Sequence, residues 1–218
     1  SIPDNTRWAR KYERMLENGA TGAMFAWQFC SFTGSLSEEL AGWMSWAPCP
    51  PAATLLRRLA ARDFGAPHAD AVVRAWRDFD RAMETFPYSS ATSRFRRGVF
   101  AIGFAHPLVF DALRPGVLDD AFWLDGAARQ RPTFVTDLSW THPYGADVCL
   151  KSLVKTERAW SRGCERLDAI PSPGARDPYV AGCLDTHQAL ARGIRCILRT
   201  AIHTIRFLDT RDTYFREP

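Results

Sequence analysis

The sequence predicts a mainly α protein, a helical bundle carrying one short α/β unit near its start. Three observations predict it. From Arg176 to about Asp212, apolar and packing residues step by four and three throughout (Val180, Leu184, His187, Ala191, Ile194, Leu198, Ala201, Ile205, Leu208), the seam of a long packed helix. His68 to Phe86 repeats the pattern with Val72, Trp76, Phe79, Met83 and Phe86. Between two other helix patterns, Gly22-Ala23-Met24-Phe25-Ala26-Trp27-Gln28 is a short apolar run without helical period. Helix, strand and helix in order make one α/β unit.

Taken in order, Asp4 to Asn18 has helical period through Trp8, Tyr12, Met15 and Leu16, with Asp4 or Asn5 as cap and Asn18-Gly19 as stop. After the strand, Ser35 to Trp46 opens on Ser35-Leu36-Ser37-Glu38, a capping-box spelling, and carries Leu36, Leu40, Trp43 and Met44 on one face. Pro48, Pro50 and Pro51 break the chain. Pro51 to Phe64 then reads as a helix with Leu55, Leu56, Leu59 and Ala60 inward and Gly65 as its stop signal. Pro67 precedes the His68–Phe86 helix, and Pro87 ends it. Tyr88 to Pro143, punctuated by glycines and prolines, reads as a long loop-rich connection packed as short turns. Tyr144 to Ile170 is a helix with Val148, Leu153, Trp160 and Leu167, broken by Pro171-Ser172-Pro173-Gly174. On the last helix a second row, Cys183, Leu190 and Ile197, widens the seam beyond a strict coiled coil, as in an antiparallel bundle. Three regions follow: 1–47, the α/β unit; 48–143, a helix pair and the loop-rich part; 144–218, a long antiparallel helix pair.

Composition narrows the class. In 218 residues, 46% hydrophobic and 12% aromatic content is enough for a sizeable core. No apolar run approaches the roughly 20 residues of a membrane span, so no membrane partner is expected. The net charge of +4 is mild, and the basic residues are nearly all arginine, with lysine only at positions 11, 151 and 155. Nucleic-acid binding would need those arginines gathered on one face with aromatics between them. Arg57, Arg58, Arg62, Arg74, Arg77 and Arg81 are instead interleaved with Asp63, Asp70, Asp78 and Asp80, which reads as a solvated helix surface. No nucleic-acid partner is expected. Six cysteines (Cys30, Cys49, Cys149, Cys164, Cys183, Cys196) show no metal-site spacing. Cys149, Cys183 and Cys196 fall among apolar helix residues and read as free, buried thiols, which suits a cytoplasmic protein.

Few motifs carry chemistry. There is no Gly-x-Ser-x-Gly elbow, phosphate loop or dinucleotide fingerprint, and no cofactor is expected. His106-Pro107 and His142-Pro143-Tyr144, with Asp111 or Asp137, offer two ligands without a third, so no metal is assigned. Asp119, Asp120, Asp125 and Asp137 suit sugar hydroxyls or the local hydrogen bonds of turns. His187 and His203 read as packing or surface residues of the long helix.

Several pieces together resemble the C-terminal part of bacterial TIM-barrel glycoside hydrolases with an appended helical domain. They are Gly22-x-Met24-x-x-Trp27, the acidic pair Glu38-Glu39, Leu55 to Gly65, Ala75 to Pro87, His106-Pro107-Leu108, Trp140 to Val148 and the two last helices. The resemblance covers most of the chain and implies that 22–28 is the last strand of a (β/α)8 barrel whose other strands lie upstream. In such barrels the site is at the C-terminal ends of the strands, where Trp27, Gln28, Cys30 and Phe32 would emerge. A pyranose face packs well on an indole, so Trp27 is the expected sugar platform, against the alternative of a core residue joining strand to helix. The substrate-binding set is Trp27, Gln28, Glu38 and Glu39. Glu38 also fits a capping position and Glu39 a solvated helix face. Glycoside hydrolysis needs two carboxyl groups flanking the bond. In these barrels they come from middle strands, so no catalytic residue is named and the chain alone is expected to be inert.

Two functions follow. One is the C-terminal portion of a carbohydrate-active hydrolase, supplying an aromatic sugar platform and a helical domain that braces or dimerises the enzyme. The other is a non-catalytic helical interaction module. Homodimerisation through the helices or the strand edge is left open.

Overall fold

The computed structural model describes residues 5–22, 35–46, 48–87, 138, 141 and 143–216. Among them are six α-helices and no strand: α1 (Asn5–Glu17), α2 (Leu36–Met44), α3 (Ala52–Phe64), α4 (Ala69–Glu84), α5 (Ala146–Asp168) and α6 (Pro178–Arg216). The mainly helical expectation holds, whereas the α/β unit at 1–47 is not seen. Its described part is α1, α2 and a non-helical link at 20–22. The rest of the 22–28 stretch lies outside the described residues, as do Cys30, His106, His142 and the four loop aspartates.

Local chemistry explains the helix limits. Gly19 adopts φ 76° after α1, Ala20 N donates to Met15 O (3.0 Å) and Gly19 N to Leu16 O (2.9 Å). That is a Schellman ending, which satisfies carbonyls the helix would leave open. Ser35 starts α2 with both halves of the capping box: Glu38 N donates to Ser35 Oγ, and Ser35 N to Glu38 Oε2, each at 3.3 Å. Pro51 gives α3 no side-chain cap, and α1 supplies one instead, since Ala52 N donates to Glu13 Oε1 at 3.0 Å. A carboxylate there also opposes the positive end of the helix dipole. Gly65, at φ 84°, ends α3 as the sequence predicts.

Residues 1–84 and 156–195 form one compact unit. In it α1 packs against α2, α3 and α4, and α3 against α4. Its core holds Leu40, Leu55, Leu56, Leu59, Phe64, Val72, Trp76, Phe79, Trp160, Leu167 and Leu184. Each such side chain contributes about 1.5–3 kcal/mol through burial. The Phe79 and Trp160 rings lie 4.3 Å apart, joining α4 to α5. The 156–168 part of α5 and the 178–195 part of α6 run antiparallel. Trp160 Nε1 donates to Ala191 O (2.8 Å), Gln188 Nε2 to Leu167 O (2.9 Å), and Arg195 pairs with Glu157 (3.2 Å).

The second unit takes in 85–155 and 196–218. Among its described residues, Thr141 leads into α5: its hydroxyl donates to Leu138 O (2.7 Å), and its carbonyl accepts from Gly145 N (3.1 Å) and the Cys149 thiol (3.4 Å). Cys149, Leu153, Leu198, Ala201, Ile202, Ile205 and Leu208 are buried.

Several side-chain expectations change. In α1 the buried residues are Asn5, Thr6, Ala9 and Tyr12, whereas Leu16 is exposed. In α2 Leu40, Met44 and Ser37 are buried but Trp43 is 52% exposed. At about 100° per residue, those three centre the buried face roughly a quarter turn away from Trp43. Val148 is exposed on α5 and Cys196 on α6; of the second row of α6, Leu190 is exposed and Cys183 and Ile197 are half-buried, so that row is not a fully buried seam. The aspartates of α3 and α4 also depart from a solvated surface: Asp63, Asp78 and Asp80 are buried, and only Asp70 is exposed, pairing with Arg57 at 2.9 Å. Asp78 meets Arg166 at 2.6 Å. Helical period cannot reveal this, because each of these aspartates meets a partner from another helix: Arg166 at Asp78, Arg10 at Asp80 and Tyr179 at Asp63.

Candidate functional site

Of the four residues expected to bind substrate, Trp27 and Gln28 lie outside the described residues, whereas Glu38 and Glu39 stand in the first turn of α2. Successive helix positions point about 100° apart, so these two carboxylates have different surroundings.

Glu38 faces a cleft of about 310 Å³ between α1 and α2. One wall is Tyr12, Met15 and Leu16 of α1, the other Glu38, Ala41, Gly42, Met44 and Ser45, and Ala20, Thr21 and Gly22 run along the edge. The Schellman turn at Gly19 directs the chain along this edge. Burial raises the Tyr12 phenol above its ordinary range, and the nearby charge of Glu38 adds to the shift. The phenol is therefore a neutral O–H near pH 7. The cleft combines thioether and aliphatic surface with a phenol, a carboxylate and two hydroxyl side chains. The volume sits at the low end of the ~300–1,000 Å³ common for ligand sites.

Glu39 is tied into an ion network. Arg62 of α3 donates to both of its oxygens, Nη1 to Oε1 and Nη2 to Oε2, the latter at 2.7 Å. Trp43 Nε1 adds a bond to Oε1 at 3.0 Å. The Arg62 bonds hold the Glu39 carboxyl below the usual range, opposed by partial burial and assisted by Trp43. Arg62 also binds its neighbour Asp63, Nε to Oδ1 at 2.6 Å and Nη2 to Oδ2 at 2.9 Å. Tyr179 of α6 donates to Asp63 Oδ1 at 2.8 Å, and that bond first, then burial, pushes its phenol up to about 12. A carboxylate held by three donors is a clamp, not a proton carrier. Its effect is to join α2, α3 and α6 and to fix the exposed indole of Trp43. The sequence hides this network because Asp63 and Tyr179 are 116 positions apart.

Among the described residues, the remaining reactive side chains show no further constellation. His187 lies on α6 with its ring edge-on to Phe64 (4.8 Å) and Nδ1 3.0 Å from Cys183 O, while His203 is exposed. Cys49, Cys149, Cys164, Cys183 and Cys196 are free, and burial pushes Cys164 up to about 11, making it an inert thiol. No group of three His, Cys, Asp or Glu side chains among the described residues is placed to hold a metal ion. Nor is any described helix long and apolar enough to cross a membrane. A scan against protein-family models and searches of curated proteins and of solved structures each found no match.

Proposed function

We propose that the chain is the C-terminal portion of a carbohydrate-active hydrolase and that the α1–α2 cleft forms part of its sugar site. The observation that carries this reading is the cleft itself, which brings Glu38 and the Tyr12 phenol beside Gly22. Gly22 is the first residue of the stretch the sequence reads as a closing barrel strand. In this proposal 22–28 is that strand, Trp27 and Gln28 contact the sugar at its far end, and the helices brace the enzyme. The catalytic carboxylates belong to other strands of the barrel. The free thiols fit a reducing, cytoplasmic setting.

Titration of the 218-residue chain with neutral mono- and disaccharides, followed by backbone NMR, tests this. The expected result is saturable shifts at Tyr12, Met15 and Met44. They should disappear in Ala41→Phe, which fills the cleft, and weaken about tenfold in Glu38→Gln. Saturable binding that ignores both substitutions, or no binding by a folded protein, overturns the assignment of this cleft.

The second reading, a non-catalytic helical interaction module, is favoured by Trp46, which is 74% exposed just past α2. Large exposed aromatics of this kind are common anchors of protein interfaces. Under that reading, a monomeric chain should acquire a protein partner through Trp43 and Trp46, and saccharides should leave both indoles unaffected.

A further inference from the structure

A second, larger groove, about 940 Å³, runs along the other side of α1 and is lined by Arg7, Trp8, Arg10, Lys11 and Arg14, with Glu84 of α4 as the one acidic side chain among the described lining residues. Arg10 is held near Asp80 (3.6 Å) and Glu84 (3.8 Å). Arg7, Lys11 and Arg14 pair with no carboxylate among the described residues, and all three side chains are exposed. Like charges three and four positions apart repel one another along a helix. An anion that spans them relieves that repulsion. The Lys11 ammonium lies 4.6 Å from the centroid of the half-buried Trp8 ring, so a cation and an indole share one wall. Met15 and Ala20 line both this groove and the α1–α2 cleft, which makes the two surfaces contiguous.

We propose that this groove binds an acidic polysaccharide, a chain of carboxylated sugars whose neighbouring residue enters the α1–α2 cleft. The inference rests on the carbohydrate reading and names the substrate class of that site. Arg7, Lys11 and Arg14 climb the helix by about 10 Å, the reach of a short oligosaccharide with a carboxylate on each sugar. The half-buried indole, with the Lys11 ammonium over its ring and Tyr12 stacked against it, holds that cation in place on the groove wall and adds apolar edge surface. A single-stranded nucleic acid would instead call for a series of stacking aromatics along a cationic track, and the described lining of the groove offers one, Trp8.

The experiment titrates the full chain with an oligogalacturonate of fixed length, its fully methyl-esterified counterpart and an oligothymidylate of equal charge, by calorimetry and tryptophan fluorescence. The acidic sugar is expected to bind at least tenfold more tightly than the ester and to weaken steeply as salt is raised. Arg7→Gln combined with Arg14→Gln should remove most of that advantage and leave the circular dichroism spectrum unchanged, both side chains being exposed. Ala41→Phe should abolish binding of the ester and retain salt-sensitive binding of the acid. If neutral sugars bind in the cleft and carboxylates add nothing, the inference fails and the sugar site stands. Equal binding of oligothymidylate assigns the groove to nucleic acid and overturns the inference, and silence from every saccharide overturns both.

Discussion

His187 is enclosed on α6 between Phe64 and its own helix backbone, and burial lowers its imidazole below the ordinary value, against the opposing pull of the Cys183 carbonyl and the Asp63 carboxylate. The pH consequence follows from proton counting. With the folded value depressed below the unfolded one of about 6.5, the unfolded chain binds more protons in the interval between them. Stability due to this group is full above the unfolded value and is lost as pH falls through that interval. The urea midpoint should therefore drop between pH 7 and pH 5 more in the natural protein than in His187→Gln. Parallel pH profiles for the two would show that the imidazole is not desolvated by folding. The sequence places His187 on the seam but cannot show this, because Phe64 and Asp63 come from α3.

At the level of elements, α4 and α5 meet at Gly163. A Cβ added there would lie 2.6 Å from Cδ1 and 2.8 Å from Cζ of Phe79. The ring has no room to retreat, being fully buried and packed on Trp160. Glycine inside a helix ordinarily costs about 0.5–1 kcal/mol relative to alanine, so a helix-propensity argument predicts that Gly163→Ala stabilises. Overpacking costs about 1–3 kcal/mol and outweighs that gain. Gly163→Ala should lower stability in urea unfolding, and Phe79→Leu in the same chain should recover part of the loss relative to additivity. A stabilised single variant would mean the two helices are not in close contact. This contact marks where legibility ends. The helices, the Ser35 capping box, the Gly19 and Gly65 stops and the leucines of α3 were legible because each depends on residues within a few positions. The Glu39–Arg62–Asp63–Tyr179 network, the buried Asp78 and the exposure of Trp43 depend on which helix lies opposite, which period alone does not encode. For the candidate site, Glu38 was legible as a cap, whereas its cleft partner Tyr12 was read only as an apolar helix position.

For the molecule as a whole, α6 is the element with most at stake, since its 39 residues contribute 178–195 to one compact unit and 196–216 to the other. Nevertheless Gly182 and Gly193 interrupt its helix propensity, and a Cβ at either would meet no atom within 4 Å. Neither glycine has a positive φ among those the chain shows, so no backbone conformation demands it. Removing the extra freedom of the unfolded chain at each site should add about 0.4–1 kcal/mol. The double variant Gly182→Ala, Gly193→Ala is then expected to gain roughly 1–2 kcal/mol, and each kcal/mol is worth about 2–4 °C in a chain of this size. Thermal unfolding by circular dichroism would read the shift, which should be nearly additive, since the positions are three turns apart and share no neighbour. A lowered midpoint would show that one of these glycines admits a close approach along α6, and with it a packing partner for the helix face that now stands open.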